Sequence, residues 1–309
     1  MTFAISFRYF GPHIVKDIEL FGSVLDLTEK TSKVIAEETL YTSLYKVGIV
    51  GKNHILEYLE LETQRRAYLP SYQKPRDIVQ YIADNSDTFG MNIQYPLHSL
   101  QFVMEMGVAI ISTRLHNLIV ELSLRPQVYD ELGEEQRLSM EKYLDNGSLI
   151  PFEALDEMVL LDAFIKETIR LAGSSSFIPR YVCQDFVVSN GVTIPKNSLV
   201  SFNIYSHNRD TSIFGKNASE FDYKRHIRLG LKLTDTDSSN VMWSAGTEVC
   251  AAKLYSIYII KLILSLIIRN YYIRSHCPIA SHLDSNKTSH YSTNTDLSRN
   301  SGLYFVSRN

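Results

Sequence analysis

The sequence predicts a mainly α-helical protein with a minor β part, and two patterns carry that prediction. Apolar residues recur three and four positions apart over much of residues 14–171, as on the buried face of an amphipathic helix. Further on, short apolar runs flank Asn190-Gly191, a dipeptide typical of tight hairpin turns, and predict a β region at residues 177–204. The chain has 309 residues, 45% of them hydrophobic, which is enough for a sizeable core.

The first helices are predicted as segments separated by prolines. Residues 14–61 have helical spacing, residues 70–75 interrupt it with two prolines, and a short helix resumes at residues 76–84. A long helix is expected over residues 97–124, because the arginine-proline pair that follows disfavours its continuation.

Helical and irregular segments alternate in the remainder of the chain. A helix is predicted to start at Pro126 and another to cover residues 157–171. After the β region, residues 205–245 are loop-rich and residues 254–268 form an apolar helix. The tail from Ser275 is rich in Ser, Asn, Thr and His and ends in a strand-like run. No clear linker divides the chain, so we expect a single domain.

Charge, cysteines and hydropathy narrow the function class. The net charge of −3, without a long basic run, argues against nucleic acid as a partner. Cys183, Cys250 and Cys277 are far apart and odd in number, which argues against a disulfide framework and fits a reducing compartment. The apolar run at 254–268 falls short of about 18 residues and carries Lys261, so it predicts a core helix rather than a membrane span.

The segment around Cys250 is the strongest candidate for chemistry. Trp243, Gly246 and Cys250 lie at spacings of three and four residues, just before the apolar helix. A sulfur at a helix N-terminus meets unpaired N–H groups and the positive end of the helix dipole, which favour a thiolate. A thiolate on a tight loop is a suitable axial ligand for haem iron. The alternative is a buried structural cysteine.

Other short motifs precede this loop in a fixed order. Glu167 and Arg170 are three residues apart on one predicted helix, within reach of each other, although such a pair is often a solvated surface pair. An isolated Arg180 leads into the hairpin region, and His207 begins a His-x-x-Asp run. Arg225 ends a Phe-x-x-x-Arg run.

This order of motifs resembles the C-terminal portion of the cytochrome P450 fold, and looks closest to fungal members that act in secondary metabolism. The resemblance implies that Cys250 is the axial ligand of haem b, with Trp243 and Gly246 in the same cofactor-binding loop. It implies that Arg180 pairs with a haem propionate, with His207 near the same group. It also implies that Glu167, Arg170 and Arg225 form a structural triad behind the loop.

Four positions depart from the family pattern. In the long helix, Ile110 stands where relatives carry a threonine and Ala109 where they carry an acid or amide. Thr113, about 60° round the helix and ~4.5 Å along it, is the candidate to replace that threonine in proton delivery. Glu248 replaces a basic residue near a propionate, and Ala252 replaces a glycine; both changes are expected to weaken haem binding.

The resemblance implies a single partial domain over residues 1–309, with segments that correspond to known parts of the fold. Residues 1–96 correspond to helices of the substrate-pocket roof together with short helices, 97–124 to the helix across the distal face of the haem, and 157–171 to the Glu-x-x-Arg helix. The β region at 177–204 follows, then the haem loop and its helix at 241–268. Family members carry further helices and strands before the matching segment, so the chain is expected to start partway through the fold.

The expected function is a haem-thiolate monooxygenase acting on an apolar small molecule such as a terpenoid. Its electrons are expected from NADPH through NADPH-cytochrome P450 reductase. The family expectation for location is the cytosolic face of the endoplasmic reticulum membrane. The first ten residues are too short an apolar stretch to form an anchor, which implies a cytoplasmic location for the chain as written. Two alternatives stay open: a truncated relative without activity, and a helical interaction protein with a structural cysteine.

Overall fold

The computed structural model describes residues 52–85, 94–143, 150–172, 177–237, 240–275 and 303–308. The longer helices are α1 (Lys52–Ala67), α2 (Ile78–Asp84), α3 (Gln94–Leu124), α4 (Pro126–Glu141), α5 (Phe152–Glu157), α6 (Val159–Ala172) and α10 (Lys253–Asn270). Short helices between them are α7 (Ile204–His207), α8 (Thr211–Phe214) and α9 (Lys224–Arg228). The strands are β1 (Phe177–Tyr181), β2 (Phe186–Val187), β3 (Thr193–Ile194), β4 (Leu199–Asn203), β5 (Tyr271–Ser275) and β6 (Leu303–Ser307).

Backbone contacts group these residues into two compact units, one up to Arg114 and one from Leu115 onward. In the first unit, a buried guanidinium ties α1 to the start of α2. Arg66 donates to Glu62 at 2.7 Å and to both carboxylate oxygens of Asp77 at 2.6 and 2.9 Å. Asp77 in turn caps α2 by accepting the backbone N–H of Gln80.

In the second unit, α4, α6 and α10 supply most of the described core. Their buried apolar side chains are Tyr129, Leu132, Leu161, Phe164, Ile165, Ile257, Ile260, Leu264 and Ile268. Glu135 of α4 accepts the backbone N–H groups of Leu160 and Leu161 and so caps the start of α6. Lys261 of α10, almost fully buried, pairs with Asp162 of α6 at 2.6 Å. These polar ties fix the spacing of the three helices.

The far end of α10 is held by side chains of α4. Gln136 Nε2 donates to the carbonyl of Ser265 at 3.0 Å, and the hydroxyl of Tyr129 donates to the carbonyls of Ile268, at 3.3 Å, and Tyr271. The carbonyl of Ile268 lies in the last turn of α10 and has no partner within the helix, so the hydroxyl of Tyr129 satisfies a group that would otherwise be unpaired.

The strands form three small antiparallel pairs. β1 pairs with β4, with Arg180 opposite Val200; β2 pairs with β3 across the Asn190-Gly191 turn; and β5 pairs with β6. Gly191 has a φ of +86°, the left-handed conformation that a glycine adopts without steric cost.

The mainly helical fold with a minor β part is confirmed, with differences at element ends. The long helix and the helix around Glu167 lie within three residues of the predicted bounds, and all four strands of the β region fall inside 177–204. The predicted end of the first helical region near residue 61 is wrong, since α1 continues to Ala67. The last turn is stabilised by the hydrogen bonds that Arg66 donates to Glu62 and Asp77. Residues 14–51 of that region and most of the polar tail lie outside the described residues. None of the described helices combines the length and the apolar character needed to span a membrane.

Candidate functional site

Glu167 of α6 is the centre of a buried polar network. Its carboxylate accepts Nε and Nη2 of Arg170 at 2.8 and 2.7 Å and the backbone N–H of Asp222 at 2.8 Å. The side chains of Glu167 and Arg170 are 0% and 4% exposed, so the solvated surface pair is ruled out. A buried pair of this kind is tolerated only when its remaining donors are also satisfied.

The two arginines donate most of their remaining N–H groups to backbone carbonyls. Arg170 donates to the carbonyls of Asn208, Ala218 and Glu220. Arg225 of α9 donates to the carbonyls of Phe214, Asn217 and Glu220, and its Nε lies 3.5 Å from Glu167. The planar guanidinium with several fixed donors suits this task. Together the two side chains gather residues 208–220 around α6.

His226 is a member of this network that sequence reasoning missed. Its Nε2 lies 2.8 Å from the second carboxylate oxygen of Glu167, and the ring is fully buried. Burial alone would raise the pKa of Glu167, but hydrogen bonds from Arg170 and His226 more than offset it and lower the pKa to about 2. Glu167 is therefore ionised, and His226 must carry its proton on Nε2. Burial lowers the pKa of His226 itself and keeps the ring neutral.

The cysteine loop runs through two 3₁₀ turns, Val241–Trp243 and Gly246–Glu248, into α10. It is closed by a backbone hydrogen bond of 2.8 Å from the N–H of Cys250 to the carbonyl of Trp243. Gly246 has a φ of +67°, so its backbone conformation favours glycine, although no atom crowds its Cα. Cys250 is exposed, which contradicts the alternative of a buried structural cysteine. The loop thus presents a thiol at the surface of its unit, two residues before the N-cap of α10.

Arg180 and Ser244 connect the β region to this loop. Arg180 of β1 is exposed and its Nη2 lies 3.4 Å from the hydroxyl of Ser244. Ser244 itself has φ +65° and ψ −176°, a combination that side-chain-bearing residues rarely adopt. The structure therefore brings Arg180 to the cysteine loop, at one end of a strained turn.

The comparison with known families decides the identity. The family described as Cytochrome P450 matches residues 40–294, more than four-fifths of the chain. The chain belongs to the cytochrome P450 family.

Several curated cytochromes P450 are similar over a large part of the chain. Cytochrome P450 monooxygenase gsfF of Penicillium aethiopicum is 26% identical over 74% of this chain and 47% of the relative. Cytochrome P450 3A12 of Canis lupus familiaris is 28% identical over 68% of this chain and 42% of the relative. Cytochrome P450 monooxygenase ccsD of Aspergillus clavatus is 27% identical over 53% and 34%. The chain spans about half, or less, of the length of the curated relatives it matches.

Haem b is the cofactor of the cytochrome P450 family, and the residues of the cysteine loop fit it. Iron needs one soft ligand from the protein, and the exposed sulfur of Cys250 is free of any disulfide. The propionates are anionic, and the exposed guanidinium of Arg180 reaches the same loop. His207 is half-buried between Phe202 and Phe214, at ring distances of 5.2 and 6.4 Å. Its role near a propionate stays a prediction.

Some of the positions that depart from the P450 pattern have side chains that the structure describes. Ile110 of α3 is 42% exposed and carries no polar group, and Thr113 is half-buried one turn further along. The backbone at Ala252 is the N-cap of α10. The side chains of Ala109 and Glu248 lie outside the described residues. The proposed proton-delivery role of Thr113 and the repulsion expected from Glu248 therefore stay predictions.

Proposed function

We propose that the chain is the haem-binding part of a haem-thiolate monooxygenase. The observation that carries the proposal is the exposed Cys250 on a closed loop, in the same unit as a buried network around the ionised Glu167. The family supports monooxygenation, and the loop geometry supports Cys250 as the ligand. When bound, haem b activates dioxygen so that one oxygen atom enters the substrate.

In this proposal the residues of the chain hold and orient the cofactor. Cys250 would supply a thiolate to the iron, Gly246 would let the loop turn at that place, and Arg180 would bind a propionate. Glu167, Arg170 and Arg225 keep the supporting segment in place without touching the reacting atoms. The resemblance to the family supports Thr113 as the residue that would hold a proton donor for the reaction.

We further propose an apolar substrate of the terpenoid type and electron supply from NADPH through cytochrome P450 reductase. The resemblance to fungal enzymes of secondary metabolism supports the substrate class. The family generally draws electrons from reductase partners, which supports the electron source. The cytosolic face of the endoplasmic reticulum is the proposed location, and fractionation of the expressed protein tests it.

A carbon monoxide difference spectrum of the reduced protein tests the proposal. The full chain, reconstituted with haem, is expected to give the Soret band of a thiolate-ligated iron. Cys250→Ser should remove this band, whereas Cys183→Ser, at another exposed free cysteine, should leave it unchanged. A band that persists in Cys250→Ser would overturn the ligand assignment. Absence of haem uptake by the unaltered chain would overturn the proposed function in favour of an inactive relative.

A further inference from the structure

Four consecutive backbone carbonyls, those of residues 232–235, each accept a hydrogen bond from a different side chain. We refer to them as the carbonyl run. The donors, in the order of the carbonyls, are Lys166 Nζ, Trp243 Nε1, Lys253 Nζ and Asn240 Nδ2. The segment lies outside helices and strands, so its carbonyls have no partner of that kind. Side chains supply donors to all four, and the carbonyl of Lys232 also accepts the backbone N–H of Asp235 at 3.2 Å.

These donors come from the elements that surround the cysteine loop. Lys166 belongs to α6, next to Glu167, and its ammonium is nearly fully buried. Trp243 belongs to the loop itself and donates to Leu233 at 2.7 Å. Lys253 is the first residue of α10 and donates to Thr234 at 2.8 Å. The carbonyl run is therefore a shared anchor for α6, the loop and α10.

Cys250 lies between two of these ties. Trp243 precedes it and Lys253 follows it, and the two bind adjacent carbonyls. Two backbone hydrogen bonds also hold Cys250. Its N–H donates to the carbonyl of Trp243 at 2.8 Å, and its carbonyl accepts the N–H of Lys253 at 3.1 Å. The side chain of Leu233 is buried, so the anchor itself does not move freely.

We propose that Lys253 is a positioning residue for Cys250. Its ammonium, bound to the Thr234 carbonyl, fixes the start of α10 against the carbonyl run and so fixes where the sulfur stands. Ligands held by a second layer of hydrogen bonds keep their orientation, and loss of that layer loosens the site. The inference rests on the proposed function of Cys250 as haem ligand, but its structural part is measurable without haem.

Trp243 is the only tryptophan of the chain and provides a haem-free reporter. In the full chain without haem, Lys253→Met is expected to shift the emission to longer wavelength and to increase acrylamide quenching about twofold. The amide of Cys250 should exchange its hydrogen roughly tenfold faster, because the loop opens locally. Lys253→Arg keeps a cationic donor and should restore both values towards those of the unaltered chain.

Lys261→Met is the matched control, because it makes the same substitution in the same helix. It leaves the half-buried Asp162 without the ammonium of Lys261 and should lower the temperature of unfolding. Below that temperature it should change neither the emission of Trp243 nor exchange at Cys250. Equal effects of the two substitutions on the loop, or no effect of Lys253→Met, would overturn the proposal. If Lys253→Met does not fold, Trp243→Phe removes the neighbouring donor and must accelerate exchange at Cys250 for the proposal to stand.

A haem readout separates this proposal from the proposed function. With haem bound, Lys253→Met should reduce the thiolate-ligated share of the carbon monoxide spectrum severalfold, whereas Cys250→Ser abolishes it. If the unaltered chain takes up no haem, the proposed function fails. Fluorescence and amide exchange then still decide whether Lys253 holds the loop.

Discussion

The two sides of the candidate site differ in how deeply their side chains are buried. On one side, Glu167 and its partners are buried, and nearly every donor and acceptor of the carboxylate and the two guanidinium groups is satisfied within the chain. On the open side, Cys250 and Arg180 are exposed, and Nη2 of Arg180 lies 3.4 Å from the hydroxyl of Ser244. The difference teaches that this unit buries its supporting groups and leaves the candidate binding groups accessible. Substitutions in the buried network should therefore mainly lower stability, whereas substitution of the exposed Cys250 should mainly lower haem binding.

The largest loss of stability is expected from Glu167→Ala. It leaves Arg170 buried without its carboxylate, and breaking one partner of a buried pair costs about 3–5 kcal/mol. Urea unfolding followed by circular dichroism measures the loss. Glu134→Ala, which breaks an exposed pair with Arg137 on α4, is the control and should leave the unfolding midpoint unchanged. Equal unfolding midpoints for the two variants would show that the buried Glu167 network contributes no more to stability than the exposed pair.

Acid should weaken the same network in a defined pH window. The pKa of Glu167 is lowered in the folded protein from 4.5 to about 2. The folded state thus binds fewer protons than the unfolded state in this range. Its contribution to stability is present above pH 4.5 and is lost as the pH falls towards 2. The gap in unfolding free energy between the unaltered chain and Glu167→Gln should therefore narrow from pH 5 to pH 2. A gap that widens on acidification would contradict the lowered pKa of Glu167 in the folded protein.

His226→Gln should have an intermediate effect. It removes the ring that donates to Glu167 and leaves a buried acceptor less satisfied, at a cost of about 1–3 kcal/mol. His207→Gln is the matched control, because Nε2 of His207 has no hydrogen-bond partner among the described residues. Thermal unfolding of both variants, compared at neutral pH, measures the difference. A larger loss in His207→Gln would mean that ring packing dominates over the bond to Glu167.

Ser244→Gly should stabilise the open side by about 1 kcal/mol, because glycine adopts φ +65° without strain. Ser244→Ala removes the same hydroxyl but keeps the strain, so it should give no gain. Denaturant midpoints of the two variants separate strain from the contact with Arg180. A gain in the alanine variant equal to that in the glycine variant would rule strain out as the cause.

Cys250→Ser is expected to have the smallest effect on stability, within about 0.5 kcal/mol, because the side chain is exposed. The same variant should lose the haem spectrum entirely. Parallel measurement of unfolding and of haem uptake tests this separation. A loss of stability as large as that of Glu167→Ala would show that the sulfur supports the fold.

Sequence periodicity was sufficient for the long helix, which buries Ile111, Leu115, Leu118 and Leu122 on one face and ends just before a proline. The helix around Glu167 was also predicted from its sequence, although it is buried on nearly all sides and not along one stripe. The pairing of Glu167 with Arg170 was also predictable, because residues three apart on a helix share a face. The Asn190-Gly191 turn located the β region for a similar local reason.

The bond from His226 to Glu167 could not be predicted in this way. The two residues are 59 positions apart and meet only because α9 packs against α6. The same holds for the carbonyl run, whose donors come from separate elements and whose acceptors are backbone atoms with no signature in the sequence. One local signal was present: a histidine next to an arginine already assigned to a buried network.

Helix α10 is held near both ends, by Lys253 on the Thr234 carbonyl and by Tyr129 and Gln136 on the carbonyls of Ile268 and Ser265. Removing one residue between the two attachments would turn the first relative to the second by about 100° and shift it by about 1.5 Å. The number of residues between the attachments therefore sets their relative position. A deletion there should cost one of the attachments, whereas exchange of one apolar side chain for another of similar size should leave both in place.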